Sequence, residues 1–230
     1  MFDLKDIAPS ARAYINGSGL PMKSVGLEFS DLRPYKGGAL DEVKLWVDNV
    51  KSGKVIKARG EATCGLGLLL VGKPGHGKTT LASTVLQEVL KGASKEVLGY
   101  AGKTLARPGY FTDYPRLLRL QKRQWGDEAE ESDQWLIDGI HGDAPDHHNV
   151  KILILDDLGK EYRTAAGWAE NNFDAVLRSR FNNGLPTIIT TNVPLSQWGD
   201  VYGEPMESFA HEAFHYINVV SEEGDRRKSE

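Results

Sequence analysis

Apolar positions along the chain follow two rhythms. Leu40, Val43, Trp46, Val47 and Val50 recur three or four residues apart, which predicts an amphipathic helix stopped near Gly53. A basic turn, "KSGKVIKARGEA", then leads to "LGLLLVG", apolar throughout, as expected of a strand covered on both faces. Leu81, Val85, Leu86, Val89 and Leu90 restore the helical rhythm as far as Gly92. The strand "GYFTDY" and a helix from Pro115 to Trp125 come next, with proline suited to the first helical turn. The segment "GDEAEESDQWLIDGI" predicts a helix whose acids gather at the positive end of its dipole. The strand in "VKILILDDLGKE", the helix "AAGWAENNFDAVLRSRF" and the strands "LPTIITTN" and "YINVV" complete the series. Strands alternating with helices predict a doubly wound α/β domain. Residues 1–38 mix Gly, Pro, Ser and charge without sustained rhythm, and read as an N-terminal arm before a core spanning 39–230.

Composition narrows this picture only modestly. The chain has 230 residues, enough for one sizeable core. Its single cysteine, Cys64, excludes an internal disulfide framework and fits a reducing compartment. The first residues lack an apolar stretch behind a basic start, so no secretory signal is expected, and no apolar run approaches the roughly 18 residues that span a membrane. A cytoplasmic protein without a membrane partner is expected. The net charge of -4 argues against gripping duplex DNA by bulk charge, yet leaves room for a local basic groove for single strands.

Residues 72–79, "GKPGHGKT", match the phosphate-loop pattern G-x-x-x-x-G-K-[ST] in full, between an apolar strand and an amphipathic helix. Gly75 and Gly77 let successive N–H groups converge as an anion nest, and the helix N-terminus adds partial positive charge. Lys78 can reach the outer phosphates and the Thr79 hydroxyl can ligate Mg²⁺. The surface running through Gly72, Lys73, Pro74, Gly75, His76, Gly77, Lys78, Thr79 and Thr80 is therefore the candidate nucleotide-binding site, with His76 at a variable, solvent-facing position. A plain Gly-rich turn is the competing reading, and the completeness of motif and context weighs against it.

Four apolar residues lead to Asp156 and Asp157 in "ILILDD". Beside a phosphate loop, Asp156 is the candidate holder of Mg²⁺ through water, and Asp157 the candidate that polarises the attacking water. The strand "TIITTN" also ends in polar residues. Asn192 there can hydrogen-bond water or the terminal phosphate, or it can serve the turn before Pro194. The residues alone leave both readings open.

Together, "GKPGHGKTTLA", "ILILDDLGKE", "RFNNGLPTIITTNVPLSQW" and "GDRR" resemble the AAA+ ATPases, and within them the DnaC/DnaI/IstB-like helicase loaders and transposition helpers, from about Gly19 to Arg227. The resemblance implies a P-loop NTPase of AAA+ type, a doubly wound parallel sheet with helices on both faces and little or no C-terminal lid. It implies that Gly72, Gly77, Lys78 and Thr79 form Walker A, Asp156 and Asp157 form Walker B, and Asn192 is sensor 1. It further implies self-association with ATP at subunit junctions, a replicative helicase and single-stranded DNA as partners, and slow hydrolysis acting as a switch. Compact versions of this kind resemble proteins of bacteriophages.

Such sites are completed by a neighbour's arginine. Where relatives carry it after a Glu-Ser pair, this chain has Phe209. Arg178, Arg180, Arg226 and Arg227 are the remaining candidates for that finger or for a sensor, against plain solvated ends of helix or tail. Loaders also carry a helicase-binding domain ahead of the core, and only the short arm stands there in this sequence. The helix after Pro115 sets Arg116, Arg119, Lys122 and Arg123 on one flank, a candidate single-stranded DNA contact or simply a solvated face. The pair His147 and His148 lacks further ligands at metal spacing and reads as loop. The first functional expectation is a helicase loader. The alternatives are an IstB-like ATPase that recruits a transposase, or a small-molecule P-loop kinase, which would need an acceptor pocket and an arginine-rich lid.

Overall fold

A computed structural model describes residues 1–54, 56–59, 62–100, 103–123, 130–144, 147–159 and 168–225. Two helices come first, α1 (Pro9–Gly17) and α2 (Ala39–Lys51), followed by the strands β1 (Ile56–Arg59), β2 (Ala62–Gly65) and β3 (Gly67–Val71). Helices α3 (Lys78–Gly92) and α4 (Lys95–Leu98) lead to the short strands β4 (Gly99–Tyr100) and β5 (Lys103–Thr104), and then to β6 (Gly109–Asp113). The chain continues through α5 (Tyr114–Arg123), α6 (Glu131–His141), β7 (Ile152–Leu158), α7 (Trp168–Asn182) and β8 (Thr187–Thr191). It closes with α8 (Trp198–Tyr202), α9 (Glu204–Ala213) and β9 (Phe214–Asn218).

Five strands form one sheet in the order β6-β7-β8-β3-β9, with every pairing parallel. Side chains alternate across it. Leu68, Leu70, Ile152, Ile154 and Ile188 pack with α1, α2 and α3 on one face. Leu69, Val71, Leu153, Leu155 and Ile189 pack with α5, α7, α8 and α9 on the other. The buried runs of β3, β7 and β8 follow from this, because neither face of these inner strands meets water, whereas the edge strand β9 exposes His215 and Tyr216. The expected doubly wound α/β architecture is what the chain adopts.

Two segments differ from expectation. The basic turn after α2 includes an antiparallel ribbon in which Ile56 pairs with Gly65 and Arg59 with Ala62. Residues 1–38, without rhythm in sequence, contain α1 and lie against the core. Ile15 and Ala11 are buried, the Phe111 N–H donates to the Ser18 carbonyl (2.7 Å), and Gln87 of α3 bonds both the Gly26 N–H (2.7 Å) and the Ser24 carbonyl (2.8 Å). A few anchoring contacts suffice to hold such a segment, and they leave no period to read.

Candidate functional site

The loop between β3 and α3 turns at Gly75 and Gly77, whose φ values of 82° and 85° belong to the left-handed region that glycine enters without strain. That turn aims the start of the 15-residue α3 at the carboxyl edge of the sheet. Lys78 opens this helix and is nearly buried. Its ammonium donates to the Gly72 carbonyl (2.7 Å), the Lys73 carbonyl (3.0 Å) and Oδ1 of Asn192 (2.7 Å). The Thr79 hydroxyl lies 2.9 and 3.1 Å from the two carboxylate oxygens of Asp156.

A regular strand would send the neighbouring Asp156 and Asp157 to opposite faces. The β7–β8 register shifts between Leu155 and Leu158, and Asp157 takes a φ of 62°, a strained value for a residue with a Cβ. Both aspartates consequently line one cleft. Thr190 links them: its hydroxyl donates to Asp156 Oδ1 at 2.6 Å and accepts the Asp157 N–H at 2.9 Å. Burial pushes the Asp156 carboxyl above its ordinary range, and the Asp157 charge adds to this. Hydrogen bonds from Thr190 and Thr79 and the Lys78 charge pull the other way.

The cleft has a volume of about 710 Å³ and includes Lys78, Thr79, Thr80, Asp156, Asp157 and Asn192 in its lining. Its far wall was not legible in the sequence. Pro21 and Lys23 come from the N-terminal segment, and Phe111 and Asp113 from β6. Tyr35 reaches the loop from outside, its hydroxyl 3.4 Å from the Gly77 carbonyl. Thr190 stood in a polar strand end, but its link to both aspartates had no local signal.

Several expectations need correction. His76 is half-buried rather than solvent-facing, and its Nδ1 accepts the Ser221 N–H at 3.0 Å. Arg180, a candidate trans-acting finger, is fully buried. It donates to the carbonyls of Ile140, Val150, Lys151 and Pro186 and to the Thr187 hydroxyl, at 2.7–3.1 Å, and burial lowers its pKa to about 9. A guanidinium so enclosed cannot enter a neighbour's site without dismantling the sheet edge. Arg178 is different. Its side chain is 40% exposed, it bonds Asp174 (2.7 Å), and its guanidinium stands 4.5 Å from the ring centroid of buried Phe209. Arg226 and Arg227 lie outside the described residues, as does Trp125.

On α5, Leu117 is buried while Arg116, Arg119 and Lys122 are exposed. Arg119 approaches Asp113 at 3.9 Å, and the side chain of Arg123 lies outside the described residues. His147 and His148 stack on each other, and among the described residues no cluster of potential metal ligands occurs. Nor is any described helix long and apolar enough to cross a membrane.

The chain matches no protein-family model and no curated protein by sequence. Solved structures match it over most of its length. A DnaC helicase loader is 24% identical, with 86% of this chain and 99% of that one covered at a TM-score of 0.59. A DnaI structure is 19% identical, with 90% and 94% covered and a TM-score of 0.61. The replication initiator DnaA bound to AMPPCP and single-stranded DNA is 13% identical, with 90% of this chain but 53% of that one covered, at a TM-score of 0.58. The chain shares its α/β P-loop NTPase fold with these structures.

Proposed function

We propose that this chain is an AAA+ ATPase of DNA replication that helps place a replicative helicase on single-stranded DNA. The observation that carries the reading is the near-complete coverage of the DnaC and DnaI chains, against about half of the DnaA chain. Fold alone does not assign a task, so the site has to supply the chemistry.

The residues present fit Mg·ATP. Thr79 and Asp156 are hard oxygen donors about 3 Å apart, as a divalent cation prefers, and would hold Mg²⁺ directly or through water. The metal would supply charge neutralisation at the outer phosphates. The N–H groups of Gly75 and Gly77 with the amino end of α3 form the anion-binding side. Lys78 would exchange its carbonyl partners for phosphate oxygens while keeping contact with Asn192. Asn192 would then sense whether a terminal phosphate is present. Asp157, turned into the cleft by its backbone, is the group that accepts a proton from attacking water.

Arg178, accessible and resting on Phe209, is the described candidate for acting across a subunit junction, with the aromatic ring substituting for the arginine expected there. On this reading the protein self-associates with ATP at its junctions, works in the cytoplasm, and binds single-stranded DNA through the exposed flank of α5.

The test is retention of a replicative helicase on immobilised protein, with and without Mg·ATP. Nucleotide-sensitive retention is expected. Failure with every helicase in every nucleotide state overturns the loader assignment.

A further inference from the structure

A second concavity, of about 330 Å³, lies far from the phosphate loop. Its walls are Ala106, Arg107, Trp135, Leu136, His148 and Val150. Arg107 and Val150 stand just before β6 and β7, at the amino edge of the sheet, whereas Asp156 and Asn192 lie at the carboxyl edge. The seven residues of β7 separate the two edges by about 20 Å at roughly 3.3 Å per residue. The concavity therefore cannot be an extension of the nucleotide cleft.

Its chemistry is specific. The Trp135 indole is 37% exposed, where Trp46 and Trp198 are buried in the core. It leans on the His148 imidazole with centroids 4.7 Å apart, and His148 stacks on His147 at 4.4 Å. Arg107 sits beside them with its guanidinium 5.2 Å from the Tyr110 ring centroid. Among the described residues no carboxylate lines the concavity, although α6 carries Glu131, Asp133 and Asp138. An aromatic ledge with a flanking cation fits a flat ring attached to an anion.

The ledge is also held in place. The Ala106 N–H donates to the His147 carbonyl (2.9 Å), and the Val150 N–H donates to the Gly139 carbonyl (2.8 Å). Buried Asn149 bonds both the N–H (3.1 Å) and the carbonyl (2.9 Å) of Ala144. A preorganised platform loses little freedom when a ligand lands on it.

We infer that Trp135 and His148 form a stacking platform for an unpaired base of a single-stranded nucleic acid, with Arg107 meeting its phosphate. Every base presents a π-face to such a ledge, so recognition is sequence-tolerant. The volume lies at the small end of the range for ligand pockets, which suits one nucleotide of a longer strand. The inference rests on the single-stranded DNA part of the proposed function and adds to it a site on different elements from the basic flank of α5.

The experiment measures binding of the full chain to a fluorescent oligothymidylate, and to the same strand with abasic positions, by anisotropy. Trp135→Ala should weaken binding about 5- to 150-fold, the range of one base–aromatic stack. Trp135→Phe should retain most of the affinity, and the abasic strand should bind wild type as poorly as the intact strand binds Trp135→Ala. Arg107→Ala should reduce the salt slope of binding by about 0.7, one phosphate contact on a single strand. All these variants should keep wild-type affinity for Mg·ATP, which also reports that they fold. If the wild type binds strands but neither Trp135→Ala nor abasic sites matter, the platform is overturned and the DNA reading stands. If the wild type binds no strand, both fall, while helicase retention still judges the loader assignment. Lost retention of a protein partner with unchanged strand affinity overturns the platform in favour of a protein dock.

Discussion

The ammonium of Lys78 and the side-chain oxygen of Asn192 meet at 2.7 Å, joining residues 114 positions apart. The contact makes the phosphate loop and the end of β8 one unit, so their functions separate only by variant. Lys78→Ala should abolish ATP binding, because it removes the charge opposite the phosphates. Asn192→Ala should bind ATP within several-fold of wild type but hydrolyse it roughly 100-fold more slowly, as for loss of one positioned polar group. Equilibrium binding of a fluorescent ATP analogue beside steady-state phosphate release distinguishes the two. Undiminished affinity in Lys78→Ala would defeat the site assignment.

Thr190 holds both aspartates, one by donating and one by accepting. Thr190→Val keeps the shape and removes the link. Hydrolysis should fall roughly 10- to 100-fold, the scale of displacing a catalytic group by about an ångström, with a smaller change in ATP affinity. Hydrolysis at the wild-type rate would show that the bulge alone positions Asp157.

Arg178 and Arg180 should separate cleanly. Arg180→Met leaves carbonyls at the amino edge of the sheet without their donor, and should destabilise the protein by about 3 kcal/mol or more. Arg178→Ala removes a half-exposed ion pair and a ring contact, and should cost about 1 kcal/mol or less. If Arg178 acts across a junction, its loss should suppress hydrolysis only at concentrations where the chains associate. Urea unfolding and the concentration dependence of phosphate release test both.

His141 supplies a pH prediction. Burial lowers its pKa, with nearby Arg180 adding to the effect and Asp143 and Asp138 opposing it. Because the folded value lies below the ordinary one near 6.5, the unfolded chain takes up the proton first on acidification. Stability from this residue is complete above about pH 6.5 and is lost as pH falls through the folded value. Urea midpoints of wild type should fall over that window, and those of His141→Gln should fall less. Parallel curves would assign the acid sensitivity elsewhere.

Much of the site was legible because its parts are local. "GKPGHGKT" sits between a strand and a helix whose apolar rhythms differ, and "ILILDD" ends a fully buried strand. Both depend on neighbours in sequence, and periodicity reports such neighbours directly. The fate of Arg180 was not legible, because a basic residue near a helix end looks the same whether water or four carbonyls surround it. The same holds for Pro21 and Lys23, which reach the cleft from a segment with no rhythm.

The sequence by itself determined where along the chain the five strands of the main sheet fall, the phosphate loop and the pair of acids, since backbone preference and side-chain alternation act over a few residues. Only the tertiary structure decided that β8 lies between β7 and β3, and so that Thr190 and Asn192 reach Asp156 and Lys78. It alone buried Arg180 and left Arg178 accessible two residues away. Strand order and burial are set by which distant surfaces exclude water together, and no local pattern along the chain carries that information.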